Sequence, residues 1–78
     1  MFDDFTYRSY RVRAGVRQSR TDRLGRWYGV ISLVQGSDQD IFLLEDHLFE
    51  WPAGARRYAV HHAKALIDAR REAAASLQ

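Results

Sequence analysis

The sequence contains no cysteine and only one proline, and it has no long apolar run. Without cysteine the chain can form no disulfide, and it has no Cys/His spacing of the zinc-binding kind. No segment approaches membrane-spanning length. The first residues, Met1-Phe2-Asp3-Asp4-Phe5, show neither the basic nor the apolar region of a secretion signal. We therefore predict a cytoplasmic protein without a membrane partner.

The motifs of common catalytic sites are also missing. There is no glycine-rich phosphate loop and no serine in a nucleophile-elbow context. His61 and His62 are adjacent in a predicted helix and diverge by about 100°, so they cannot hold one metal ion as an i, i+4 pair does. We expect His62 at the edge of the core and His61 on the surface. The prediction is a non-enzymatic chain with no catalytic residue, metal or cofactor.

The length sets the size of the core. Seventy-eight residues form one domain, residues 1–78. A chain of this size buries roughly 60% of its unfolded surface, so its core is thin and depends on its aromatic residues. Sharing an apolar surface with a second copy would add stability, which makes a homodimer a reasonable expectation.

Charge is unevenly distributed along the chain, although the net charge is only +2. Residues 1–26 carry seven arginines and three aspartates, residues 38–50 carry five acids and no Lys or Arg, and residues 51–78 carry five bases and two acids. Basic, acidic and basic blocks that lie side by side in a sheet favour ion pairs between neighbouring strands and between strand and helix.

Two segments have the pattern of β-strands. From Tyr10 to Val16 the apolar residues alternate with arginines, which is typical of a half-buried strand. Phe5 and Tyr7 fall in the opposite phase, which predicts a bulge or bend near Arg8-Ser9. The segment from Trp27 to Val34 is β-branched and aromatic, and a polar loop, residues 19–25, precedes it.

We assign the Trp27 phase of the second strand to the core. Gly29 belongs to this phase, and a glycine inside a strand usually marks the close approach of another element, here the helix. A third strand extends from Ile41 to about Phe49. It is either one bulged strand or a short hairpin that turns at Glu45-Asp46.

The C-terminal third has helical periodicity. Pro52 suits the first turn of a helix, and from Ala53 to Ser76 small and apolar residues repeat on one stripe. The centre of that stripe is Ala59, Ala63, Leu66 and Ile67. The predicted fold is α+β (βββα): an antiparallel meander of three strands, or four, with one long helix packed on one face.

One helix covers one face of such a sheet, so the opposite face stays open. By the phases above, this face carries Arg11, Arg13, Arg17, Tyr28, Val30 and Val34. An apolar patch rimmed by charge predicts a protein interface or a homodimer through this face. The acidic third strand could also pair at an edge with the arginine strand of another copy. The alternative is RNA or DNA binding, in which arginines neutralise phosphates and an exposed Tyr28 stacks on bases.

A family resemblance rests on the order of short segments: Tyr10-Arg11-Val12, Gly25-Arg26-Trp27-Tyr28-Gly29, and Phe49 ahead of a helix that carries Ala59, Ala63 and Ile67-Asp68. In this order the chain resembles small uncharacterised proteobacterial domains of unknown function. Its outline is also similar to the partial domain of HicB-type antitoxins and to double-stranded-RNA-binding domains. The resemblance implies a meander covered by a helix, and it implies no functional residues.

Overall fold

The computed structural model of the chain describes residues 2–76. Four strands, β1 (Phe2–Tyr7), β2 (Tyr10–Gln18), β3 (Trp27–Gln35) and β4 (Asp38–Phe49), are followed by one helix, α1 (Pro52–Ser76). The strands form a single antiparallel sheet in the order β1-β2-β3-β4. The predicted α+β meander with a C-terminal helix is confirmed.

The sheet gains its fourth strand at the N-terminus. Instead of a bulge or bend, Arg8 and Ser9 form a two-residue turn, and Tyr7 pairs with Tyr10 directly across it. Both turn residues have positive φ, 48° and 73°, which is the backbone of a tight hairpin turn whose twist matches that of the strands. Phe5 therefore faces the same side of the sheet as Val12, its partner on β2. The turn thus brings the apolar residues of both segments to one face, although they fall in opposite phases along the sequence.

The third predicted strand is one bulged strand, β4. Trp27 pairs with Phe49 but Gly29 pairs with Leu44, so the ladder between β3 and β4 shifts its register between these two pairs. Surplus β4 residues lie between Leu44 and Phe49, where the acidic Glu45-Asp46 pair interrupts the apolar pattern. The alternative of a separate short hairpin at Glu45-Asp46 is wrong.

The helix packs on the sheet through small side chains. Its fully buried residues are Ala55, Ala59, Ala63 and Ile67, which agrees with the predicted stripe. On the sheet they meet the buried side chains of the two central strands: Val12, Ala14, Ile31 and Leu33. The core therefore lies between α1 and the β2-β3 pair, and the other face of the sheet is left without a covering layer. Among residues 2–76 no helix is both long and apolar enough to cross a bilayer.

Candidate interaction surface

The uncovered side of the sheet, called the open face below, consists of the residues that alternate with the core positions. The strand registers place these residues in rows across the sheet. One row is Phe2, Gly15, Val30 and Leu43, and the next is Asp4, Arg13, Ser32 and Ile41. A third row, towards the Arg8-Ser9 turn, is Thr6, Arg11, Val34 and Gln39. At the opposite end of the face Arg17 lies across from Tyr28.

The open face carries a cluster of exposed apolar side chains. Within residues 2–76 five large apolar residues are exposed, and three of them belong to this face: Phe2 (53%), Ile41 (63%) and Leu43 (46%). Val30 lies beside Leu43 in the register and is partly exposed. These four residues, the apolar patch, line a shallow depression of about 430 Å³. Scattered exposed apolar residues are ordinary, whereas a contiguous group is characteristic of an interaction site.

The predicted arginine row does lie on the open face. Arg11, Arg13 and Arg17 are all exposed, and Val30 and Val34 are partly exposed on the neighbouring strand. Arg13 differs from the other two because it has partners within the chain. Its Nη2 is 3.2 Å from Asp4 Oδ2, and its guanidinium carbon is 4.4 Å from the centre of the Phe2 ring. Arg13 therefore covers one edge of the apolar patch and is partly neutralised.

Tyr28 corrects the expectation of an exposed aromatic residue. It lies in the open-face phase opposite Arg17, yet only 5% of it is exposed. It lines a cavity of about 810 Å³ together with Arg17, Arg20 and Glu45. A ring that is so deeply buried cannot stack on a nucleic-acid base as the alternative hypothesis required, and the exposed aromatic ring of the open face is that of Phe2.

The strand order also corrects the edge-pairing expectation. The arginine strand β2 lies between β1 and β3, so from Arg11 to Gly15 it is already paired on both sides. The acidic strand of another copy cannot add to this part of β2. The edges of the sheet are β1 and β4 instead. On β4, Asp40 binds the helix through Arg70, with 2.9 Å between Oδ2 and Nη2, and hydrogen bonds to Tyr10 and Asp40 raise the pKa of Arg70.

Phe2, Ile41 and Leu43 are the open-face residues that the sequence did not identify. Phe2 was missed because β1 was not recognised as a separate strand. The run Ile41-Phe42-Leu43-Leu44 is continuously apolar, so its pattern could not show which residues face the core. In the structure Phe42 and Leu44 pack against the core and Ile41 and Leu43 are exposed. The pairing of Val30 with Leu43 shows that Leu43 belongs to the open face. This pairing is known only from the register of β3 against β4.

Two of the three histidines, His47 and His62, contact the ring of Tyr58 on the helix. The Tyr58 ring is 4.8 Å from the His47 ring and 5.5 Å from the His62 ring, measured between centroids. His62 is partly buried and His61 is exposed, as expected. Among residues 2–76 no three His, Cys, Asp or Glu side chains are grouped so that they could hold a metal ion.

No protein-family model, curated protein or solved structure matches this chain. The resemblance to small proteobacterial domains, HicB-type antitoxins and double-stranded-RNA-binding domains therefore stays a prediction.

Proposed function

We propose that this chain is a non-enzymatic interaction domain of the cytoplasm, and that its open face binds protein. The apolar patch carries the proposal. Phe2, Ile41 and Leu43 are each about half exposed or more, and with Val30 they line one depression on the open face. A protein partner would remove this contiguous apolar surface from water, which is the main source of affinity in such interfaces.

The surroundings of the patch support the same function. Arg11 and Arg17 are exposed and lie towards the two ends of the open face. An apolar centre with charged residues at its margin is the usual composition of a protein interface. Arginine suits this position because its stem can cover apolar surface while its guanidinium stays hydrated.

A photocrosslinking experiment tests the proposal without knowledge of the partner. A photoreactive phenylalanine analogue replaces Leu43 in one variant and Leu24 in another, and both are expressed and irradiated in cells. Leu24 is the matched control because it is more exposed, 75% against 46%, but lies in the loop between β2 and β3. Adducts are separated by size and identified by mass spectrometry.

We expect discrete protein adducts at Leu43 that are absent or much weaker at Leu24. Equal labelling at the two positions would indicate unspecific contact, and the absence of protein adducts at Leu43 would contradict the proposal. An adduct with nucleic acid at Leu43 would favour the alternative function.

Nucleic-acid binding is the second candidate because several arginines have no partner. Within residues 2–76, Arg11, Arg17, Arg20 and Arg23 form no ion pair. The variant Arg11→Glu with Arg17→Glu tests this candidate. Its control, Arg57→Glu with Arg71→Glu, makes the same charge change at exposed helix positions. Phosphate binding by the open face predicts that only the first variant loses salt-dependent affinity for RNA or DNA. If both variants bind as the parent does, the arginines of the open face are not a nucleic-acid site.

A further inference from the structure

One row of uncharged residues crosses the whole sheet through the apolar patch. Phe2, Gly15, Val30 and Leu43 are paired from β1 to β4, and none of them carries a charge. Contact of this row with another apolar surface therefore buries no charged residue of the row itself. A second copy of the chain offers the same row, and a two-fold axis could bring the two rows together.

We propose that the open face binds a second copy of this chain face to face, about a two-fold axis parallel to the strands; this inference rests on the proposed function. A rotation about this axis places β1 over β4 of the second copy, and β2 over β3. Phe2 then faces Leu43 of the second copy, and Gly15 faces Val30. The two largest side chains of the row cover each other at the flanks, and the smallest residue accommodates Val30 near the axis.

The distribution of charged residues on β2 and β3 favours this axis over a two-fold axis perpendicular to the strands. A perpendicular axis through this row places each strand antiparallel on its own copy, so that Arg13 of β2 faces Arg17 of the second copy and Arg17 faces its Arg13. Such like-charge contacts are strongly unfavourable at an interface. The parallel axis places β2 on β3 of the second copy, and the segment Trp27–Gln35 contains no charged residue.

The size of the face indicates a reversible dimer. Four strands about 4.8 Å apart and about seven residues long give a flat footprint of roughly 450 Å² per copy. The accessible surface buried by two copies is then at least about 900 Å², which is in the range of weak and transient interfaces. We expect monomer and dimer to coexist at micromolar concentrations.

Sedimentation velocity over a concentration series tests whether the second copy binds. The parent is expected to shift from monomer to dimer as its concentration rises, and Leu43→Arg is expected to abolish the shift. Leu24→Arg, which makes the same change in the β2-β3 loop, is expected to dimerise as the parent does. Circular dichroism checks that each variant is folded. A parent that stays monomeric at high micromolar concentration overturns this inference, and the photocrosslinking result still decides separately whether the face binds another protein.

Crosslinking distinguishes the two axes. Because the chain contains no cysteine, only the introduced cysteines react with the crosslinker. Thr6→Cys and Gln39→Cys chains are mixed with a thiol crosslinker that spans about 10 Å, the spacing of packed sheets. The parallel axis places Thr6 of one copy over Gln39 of the other, so this mixture should be linked. A mixture of Gln39→Cys and Glu45→Cys chains should not be linked, because these positions approach each other only about the perpendicular axis. Linkage of the second mixture, or of neither, overturns the proposed arrangement.

Discussion

Gly29 lies against Ala59, and the space between strand and helix has no room for one more carbon atom. A Cβ placed on Gly29 would be 2.9 Å from the Ala59 Cβ and 3.1 Å from the Ala55 carbonyl oxygen. Real Cβ atoms essentially never approach other atoms to 2.9 Å. The sequence predicted this contact, because a glycine in the core phase of a strand marks such an approach.

Gly29→Ala should therefore destabilise the fold by about 1–3 kcal/mol, the usual range for overpacking a core. Urea unfolding followed by circular dichroism measures the change. Ser32→Ala is the control, because Ser32 lies on the open face of the same strand and should change stability by less than about 0.5 kcal/mol.

The double variant Gly29→Ala with Ala59→Gly shows whether the contact is the cause. Removal of the Ala59 Cβ makes room for the new one, so the double variant should be less destabilised than the sum of the two single variants. Additive effects would indicate that Gly29→Ala acts in another way.

Ser9→Gly should stabilise the domain. Ser9 has a φ of 73° in the β1-β2 turn, and this left-handed region is unfavourable for a residue with a Cβ. Glycine relieves that strain, and after its own entropy cost we expect a gain of about 0.5 kcal/mol. Ser37→Gly is the control: Ser37 lies in the other two-residue turn, between the paired Gln35 and Asp38, and its φ is not positive. A gain in thermal stability for Ser37→Gly but not for Ser9→Gly would contradict the explanation.

Tyr7→Phe should loosen the attachment of β1 to the helix. The Tyr7 hydroxyl donates to the Asp68 carboxylate at 3.0 Å and 3.2 Å, and Arg8 Nε lies 3.2 Å from the same group. Loss of the hydroxyl is expected to cost about 1 kcal/mol in the free energy of unfolding. Tyr58→Phe serves as the control, since the Tyr58 hydroxyl forms no side-chain hydrogen bond within residues 2–76. A loss for Tyr7→Phe no larger than for Tyr58→Phe would show that the hydrogen bond contributes nothing.

Acid should weaken the loop between β2 and β3 through Asp22. The Asp22 carboxylate accepts hydrogen bonds from the Arg26 side chain and from the Arg26 backbone N–H, and these lower the pKa of Asp22 from 3.8 to about 2. A carboxylate with a lowered pKa stabilises the folded state above its ordinary pKa, and that stabilisation is lost as the pH falls through the folded value.

The Asp22→Asn variant tests this contribution in thermal unfolding between pH 7 and pH 2. The parent should be more stable than Asp22→Asn above about pH 4, and the difference should shrink as the pH approaches 2. Asp46→Asn, at an exposed site outside any ion pair of residues 2–76, accounts for the loss of one negative charge. A parent-to-variant difference that is constant with pH would contradict the role of Asp22.

The local patterns in the sequence were sufficient for most of the fold. The alternation from Tyr10 to Val16 identified which side of β2 is buried, and the spacing of Ala59, Ala63 and Ile67 identified the buried stripe of the helix. These predictions succeeded because each depends on the period of one element, which the chain carries locally. The open face followed from them, because one helix can cover only one side of a sheet.

The composition of the open face depended on tertiary structure. Whether Ile41 or Phe42 faces the core is decided by the register between β3 and β4, since a shift of one residue exchanges the two faces of a strand. Burial of Tyr28 depends on neighbours from β2, the following loop and β4, which no local pattern brings together. The sequence alone therefore determined that one face of the sheet is open and bears arginines. Only the pairing of strands decided that its centre is an apolar row from Phe2 to Leu43.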